Sequence, residues 1–152
     1  MRHSHPQPLQ LLTIVTMVLS LLSCSTNCRY APLDGFWRVD TVNDITTGTT
    51  ADGQARLFMS FEYEFVKLSW LPENRTPGFL GYECIASCTV SDDGTVVFGP
   101  FYKYREEDTL APADKLASFG IPYGEPTSFT YAIEGSQLTL TNATTQLQLT
   151  RY

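Results

Sequence analysis

Nine consecutive residues constrain this chain more than any others. From Leu57 to Phe65, the residues Leu57, Met59, Phe61, Tyr63 and Phe65 alternate with Phe58, Ser60, Glu62 and Glu64. Successive side chains of a strand point to opposite faces, so the pattern predicts one strand with a core face and a wet face. A strand buried on both faces reads as a continuous apolar run, so the sheet should be antiparallel and covered on one side. Met59, Phe61, Tyr63 and Phe65 are then candidates for a core or for the lining of a ligand site.

The same period recurs along the chain. Trp37, Val39 and Thr41 oppose Arg38, Asp40 and Asn43, and the turn-rich stretch Asp44 to Gln54 follows. Tyr82 to Val90 and Thr95 to Phe98 flank Ser91-Asp92-Asp93-Gly94, a hairpin signal that also disposes of its two carboxylates as a turn rather than a calcium loop. Phe101 to Arg105 reads as a strand closed by the charges of Glu106, Glu107 and Asp108. Pro112 to Phe119 is a short helix with Gly120 at its C-cap. Phe129, Tyr131 and Ile133, then Leu138 and Leu140, then Leu147 and Leu149, form a C-terminal meander with turns at Gly135-Ser136 and Asn142 to Thr144. Tyr131 and Ile133 join the candidate inward set. The fold predicted is all-β: an antiparallel up-and-down barrel of about eight strands with one short helix, because a meander with short turns closes readily and closure removes exposed edges. An open sandwich is the alternative.

The N-terminus has a different character. Leu9 to Leu22 is uncharged and mostly apolar, follows Arg2, and is shorter than the roughly 20 residues a spanning helix needs. It ends in Leu21-Leu22-Ser23-Cys24, which resembles the lipobox of bacterial lipoproteins. The resemblance implies a signal peptide over 1–23, an acylated Cys24 with a tether over 24–34, and a folded domain over 35–152. Acyl chains, palmitate among them, would then hold the domain on a membrane. Ser25, in place of Asp, implies the outer membrane by similarity to enteric lipoproteins, with the domain facing the periplasm.

Charge and histidine exclude several functions. The formal charge is −6, and removal of 1–23 takes away Arg2 and no acid, so no nucleic-acid partner is expected. His3 and His5 are the only histidines and both lie before Cys24, which disfavours His-dependent catalysis and His-ligated metals. No enzyme activity, metal or cofactor is expected, and the domain is read as a monomer. Beyond Cys24 the cysteines are Cys28, Cys84 and Cys88, an odd number. Along an extended strand Cys84 and Cys88 would be about 13 Å apart, beyond disulfide reach. A coiled Cys84–Cys88 stretch, a bridge from Cys28, and free buried thiols all remain open.

Gly35-Phe36-Trp37, the Lys115-Leu116 and Phe119-Gly120-Ile121 helix exit and the meander from Phe129 to Tyr152, placed after a lipobox, resemble the small lipocalin-like lipoproteins of Gram-negative bacteria. The resemblance implies that Trp37 plugs the barrel floor, with Arg151 packed over its ring. It also implies that the domain binds a small apolar or amphipathic ligand. A second function is docking of a partner protein or glycan through aromatic loops, Trp70, Leu71 and Phe79 or Phe101, Tyr102 and Tyr104. Asp40-Thr41-Val42 and Asp108-Thr109-Leu110 resemble an O-glycosylation motif of one Gram-negative phylum, and Thr109 is the better-placed acceptor.

Overall fold

The computed structural model describes residues 32–53, 56–71 and 81–152. In chain order its elements are β1 (Gly35–Asp44), β2 (Thr49–Asp52), β3 (Leu57–Glu62), β4 (Phe65–Trp70), β5 (Tyr82–Val90) and β6 (Thr95–Phe98). There follow β7 (Tyr102–Lys103), β8 (Glu106–Leu110), α1 (Ala113–Ala117), β9 (Thr127–Glu134), β10 (Gln137–Thr141) and β11 (Thr145–Arg151). Eight of these strands form a closed antiparallel barrel in the order β4-β3-β1-β11-β10-β9-β6-β5, with β4 pairing back onto β5. Each barrel strand therefore has a neighbour on both sides, and no barrel edge is left unpaired. The predicted barrel is present, with β2 and the β7–β8 hairpin added outside it.

The long alternation at Leu57 to Phe65 is not one strand. β3 stops at Glu62, and Tyr63 and Glu64 make a two-residue turn that pairs Glu62 with Phe65 and Phe61 with Val66. Pairing across such a turn puts opposed residues on one face, so odd-numbered core positions before it become even-numbered ones after it. Val66 and Leu68 thus point inward, whereas Tyr63 and Phe65 are 75% and 52% exposed. The inward assignment of Tyr63 and Phe65 is corrected. Tyr63 holds φ 54°, a left-handed conformation usually left to glycine or asparagine, so no turn residue marks the site in the sequence.

Two further departures have local causes. The register of β1 against β11 shifts between Val39 and Thr41, a bulge that turns Val42 into the core and leaves Thr41 outside, where its hydroxyl meets Gln148 Oε1 at 3.3 Å. The charged run after Tyr104 continues as strand β8 rather than closing one. Tyr104-Arg105 turns the chain, with Arg105 at φ 69°, and the hairpin hangs on β5 through Cys84 and Ile85.

The barrel has two different ends. The start of β1, the Tyr63-Glu64, Ser91–Gly94 and Gly135-Ser136 turns, and Arg151 gather at one, the floor. At the other lie the start of β3, the end of β4, the start of β5, and α1. Gly120, at φ 61°, ends the helix with Ile121 N donating to Leu116 O (3.1 Å), while Leu116 and Phe119 are buried over that end.

Candidate functional site

At the floor, Trp37 is fully buried and its Nε1 donates to Leu33 O at 2.8 Å. The Arg151 guanidinium lies 4.3 Å from the Trp37 ring centroid and donates to Asp34 O at 3.0 Å and Pro32 O at 3.2 Å. Gly35 makes room for it, since a Cβ there would stand 3.3 Å from Arg151 Nη1. The last residues of the stretch read as a tether are therefore fastened to the barrel, and Leu33 is fully buried.

Between the ends, side chains fill the interior. Met59 and Phe61 belong to one continuous core with Trp37, Leu68, Phe98, Phe129, Leu138 and Leu147. Tyr131 and Ile133 pack against that core only partly buried, because they lie where β9 approaches the floor turn. Cys84 and Cys88 are buried, free thiols on the inward face of β5, which stays extended through both. Burial pushes each thiol up to about 12, which keeps both protonated and unreactive.

The helix end carries a cleft of about 630 Å³, within the range of small-molecule sites. Its apolar walls are Leu57, Trp70, Leu71 and Tyr82, brought together because Leu57 pairs with Trp70 and Trp70 with Tyr82. The Trp70 ring stands edge-on to Phe119 at 4.9 Å and to Tyr82 at 5.5 Å, so the helix braces the wall. Lys115 and Ser118, of α1 and its exit, also line it, as do Asp52 and Arg56. Lys115 Nζ lies 6.0 Å from the Tyr82 ring centroid, and Arg56 Nε donates to Leu71 O at 2.9 Å.

Two wall residues carry unused polar atoms. Trp70 Nε1 and Tyr82 OH are buried without a hydrogen-bond partner, as are Asp34 Oδ1 and Thr127 Oγ1 elsewhere in the described residues. An indole N–H can only donate, and burial raises the Tyr82 phenol above its ordinary value, so it too remains protonated. Buried donors left unpaired cost roughly 1–3 kcal/mol each, which an acceptor would recover once a side-chain shift let it reach them. Of this site, the sequence marks Trp70 and Leu71, as members of an aromatic loop. Arg56, Lys115, Ser118 and Tyr82 carry no such signal, since nothing local in the chain marks residues from five elements as neighbours.

The remaining candidates are dispersed. Phe101 is buried, Tyr102 is half-buried and Tyr104 is 40% exposed, so with buried Trp70 they make no single aromatic surface. Thr109 is exposed on β8. Among the described residues no three His, Cys, Asp or Glu side chains gather as a metal-holding group. Cys24, Cys28 and Phe79 lie outside the described residues.

Comparison with known proteins fits this architecture. The lipocalin-like domain family matches residues 17–152. No curated protein matches the chain. Among solved structures, an uncharacterised protein from Bacteroides eggerthii DSM 20697 superposes with a TM-score of 0.60 at 12% identity, over 79% of this chain and 99% of that one. A lipocalin-like protein from Bacteroides uniformis ATCC 8492 superposes at 0.54 and 17% identity, over 79% and 98%. At such identities the two structures speak for the fold alone. With a barrel of eight strands closed by the pairing of β4 with β5 and a family match over most of its length, this chain belongs to the lipocalin-like domain family.

Proposed function

We propose that this protein is a lipid-anchored lipoprotein of the bacterial cell envelope whose barrel binds a small amphipathic molecule, without catalysis, in the cleft at the helix end. The observation that carries the reading is one cleft whose apolar wall, Leu57, Trp70, Leu71 and Tyr82, includes two residues with buried, unsatisfied donors, Trp70 Nε1 and Tyr82 OH. The site differs from a ligand chamber inside the barrel, because Met59, Phe61, Leu68 and Phe98 occupy the interior. The occupant meets it end-on, with its apolar part against Leu57 and Leu71 and an acceptor toward the donors. Anchoring rests on Leu21-Leu22-Ser23-Cys24, the outer membrane on Ser25 in place of Asp, and the periplasmic side on the lack of an acidic run after Cys24.

Native mass spectrometry of the protein extracted from its own membrane tests both parts. The expected spectrum shows acyl chains on a chain that begins at Cys24, and a non-covalent small molecule lost on collisional activation. A chain still carrying residues 1–23 would overturn the anchoring. A ligand-free spectrum at every activation energy, with no binding of added amphipaths, would overturn the binding reading.

A further inference from the structure

We propose that the floor end of the barrel rests on the membrane through an aromatic rim, so that the ligand cleft opens away from the bilayer. The inference rests on the anchoring at Cys24 proposed above. Trp37 and Arg151 grip the backbone of Leu33, Asp34 and Pro32 at the floor, so the first fastened residue, Pro32, stands eight positions after Cys24. Eight residues reach at most about 28 Å when fully extended. The floor is therefore the end drawn to the surface that holds the acyl chains.

The same end carries four of the exposed aromatic residues, Phe36, Tyr63, Phe65 and Tyr152. Tyr152 is 79% exposed and packs edge-on against Phe36 and Phe58, whose own rings stack at 4.9 Å. Phe36 pairs with Ser60, and from Ser60 a groove continues to exposed Tyr63 and Phe65 at the β3–β4 turn. Tyrosine and phenylalanine rings are favoured at the level of lipid headgroups, where one part of the ring is apolar and the phenol stays wet. Exposed Glu62, Glu64, Asp92, Asp93 and Glu134 share this end, so rings rather than charge make the contact, and a zwitterionic surface suits it better than an anionic one. A lipid surface is favoured over a second copy of the chain because Pro32, held at the floor eight positions after Cys24, brings this rim to the membrane.

The test uses the full acylated protein in phosphatidylcholine vesicles whose lipids are brominated near the top of the acyl chains. An emitting tryptophan is added at the floor by Tyr63→Trp or at the helix end by Tyr123→Trp, a residue 55% exposed. The expected result is that bromine removes most of the added emission for Tyr63→Trp and little for Tyr123→Trp. Equal quenching of the two, or quenching of Tyr123→Trp alone, overturns the orientation. A concentration-dependent blue shift for Tyr63→Trp without quenching also overturns it, in favour of self-association. Mass spectrometry of the same sample separates this failure from that of the anchor, since a chain lacking acyl groups at Cys24 removes the premise itself.

Discussion

The Arg151 guanidinium sits 4.3 Å from the centroid of the Trp37 ring while its two terminal nitrogens hold the carbonyls of Asp34 and Pro32. One side chain from the last strand thereby covers the floor and fastens the segment before the first. A cation over a tryptophan contributes about 0.5–1 kcal/mol at an exposed site, and each hydrogen bond about 1 kcal/mol. Arg151→Ala should therefore destabilise the domain by about 2–3 kcal/mol, with Arg151→Lys between it and the wild type, because an ammonium lacks the planar fork. Urea unfolding measures this, and hydrogen exchange should show the Asp34 region losing protection.

Cys84 and Cys88 should be silent toward thiol reagents in the folded protein and react once it unfolds, since burial raises both to about 12. The folded state then holds these protons more tightly than the unfolded chain, whose thiols ionise near 9. Their contribution to stability is complete below about pH 9 and is lost as pH rises toward 12, by up to about 1.4 kcal/mol per pH unit for each thiol. Unfolding at pH 8 and at pH 10 should show a loss in wild type that the Cys84→Ala, Cys88→Ala double variant reduces.

Gly120 couples α1 to the barrel. It takes φ 61°, and a Cβ there would stand 2.4 Å from Thr145 Cγ2, while its own carbonyl accepts from Thr145 Oγ1 at 3.2 Å. Gly120→Ala should cost about 1–3 kcal/mol through backbone strain and overpacking. Because α1 exits beside Lys115 and Ser118, the same change should weaken ligand binding, read by titration below the melting temperature.

Tyr63 is the opposite case, a bulky residue in a glycine conformation. Tyr63→Gly should stabilise the detergent-solubilised protein by about 1 kcal/mol, since the left-handed penalty at φ 54° is removed. Calorimetry reads the gain. Vesicle contact at the floor should diminish in the same variant, which separates the residue's effect on stability from its place in the rim.

The barrel was legible because side-chain alternation survives in one sequence: the meander from Phe129 to Leu149 and the Ser91–Gly94 hairpin stand where the period places them. What escaped was any change of phase. At Tyr63-Glu64 a turn without glycine or asparagine inverted the inward set, and at Asp40 a bulge exchanged Thr41 for Val42. Tyr63 and Phe65, which the uninterrupted period assigns to the core, became surface rings. The cleft escaped for another reason: Leu57, Trp70, Tyr82 and Lys115 meet only after the barrel has closed and α1 has settled on its end. Trp37 and Arg151, 114 positions apart, were named together only through the resemblance to lipocalin-like lipoproteins.

The two tryptophans stand at opposite ends of the barrel, so their emission reports which end a ligand meets. Dodecanoate titrated into the full-length protein should change the emission of wild type and of Trp37→Phe alike, and leave Trp70→Phe nearly unchanged. That outcome places the ligand in the cleft walled by Trp70. A response carried by Trp37, or none from either ring at concentrations below micelle formation, would contradict the account.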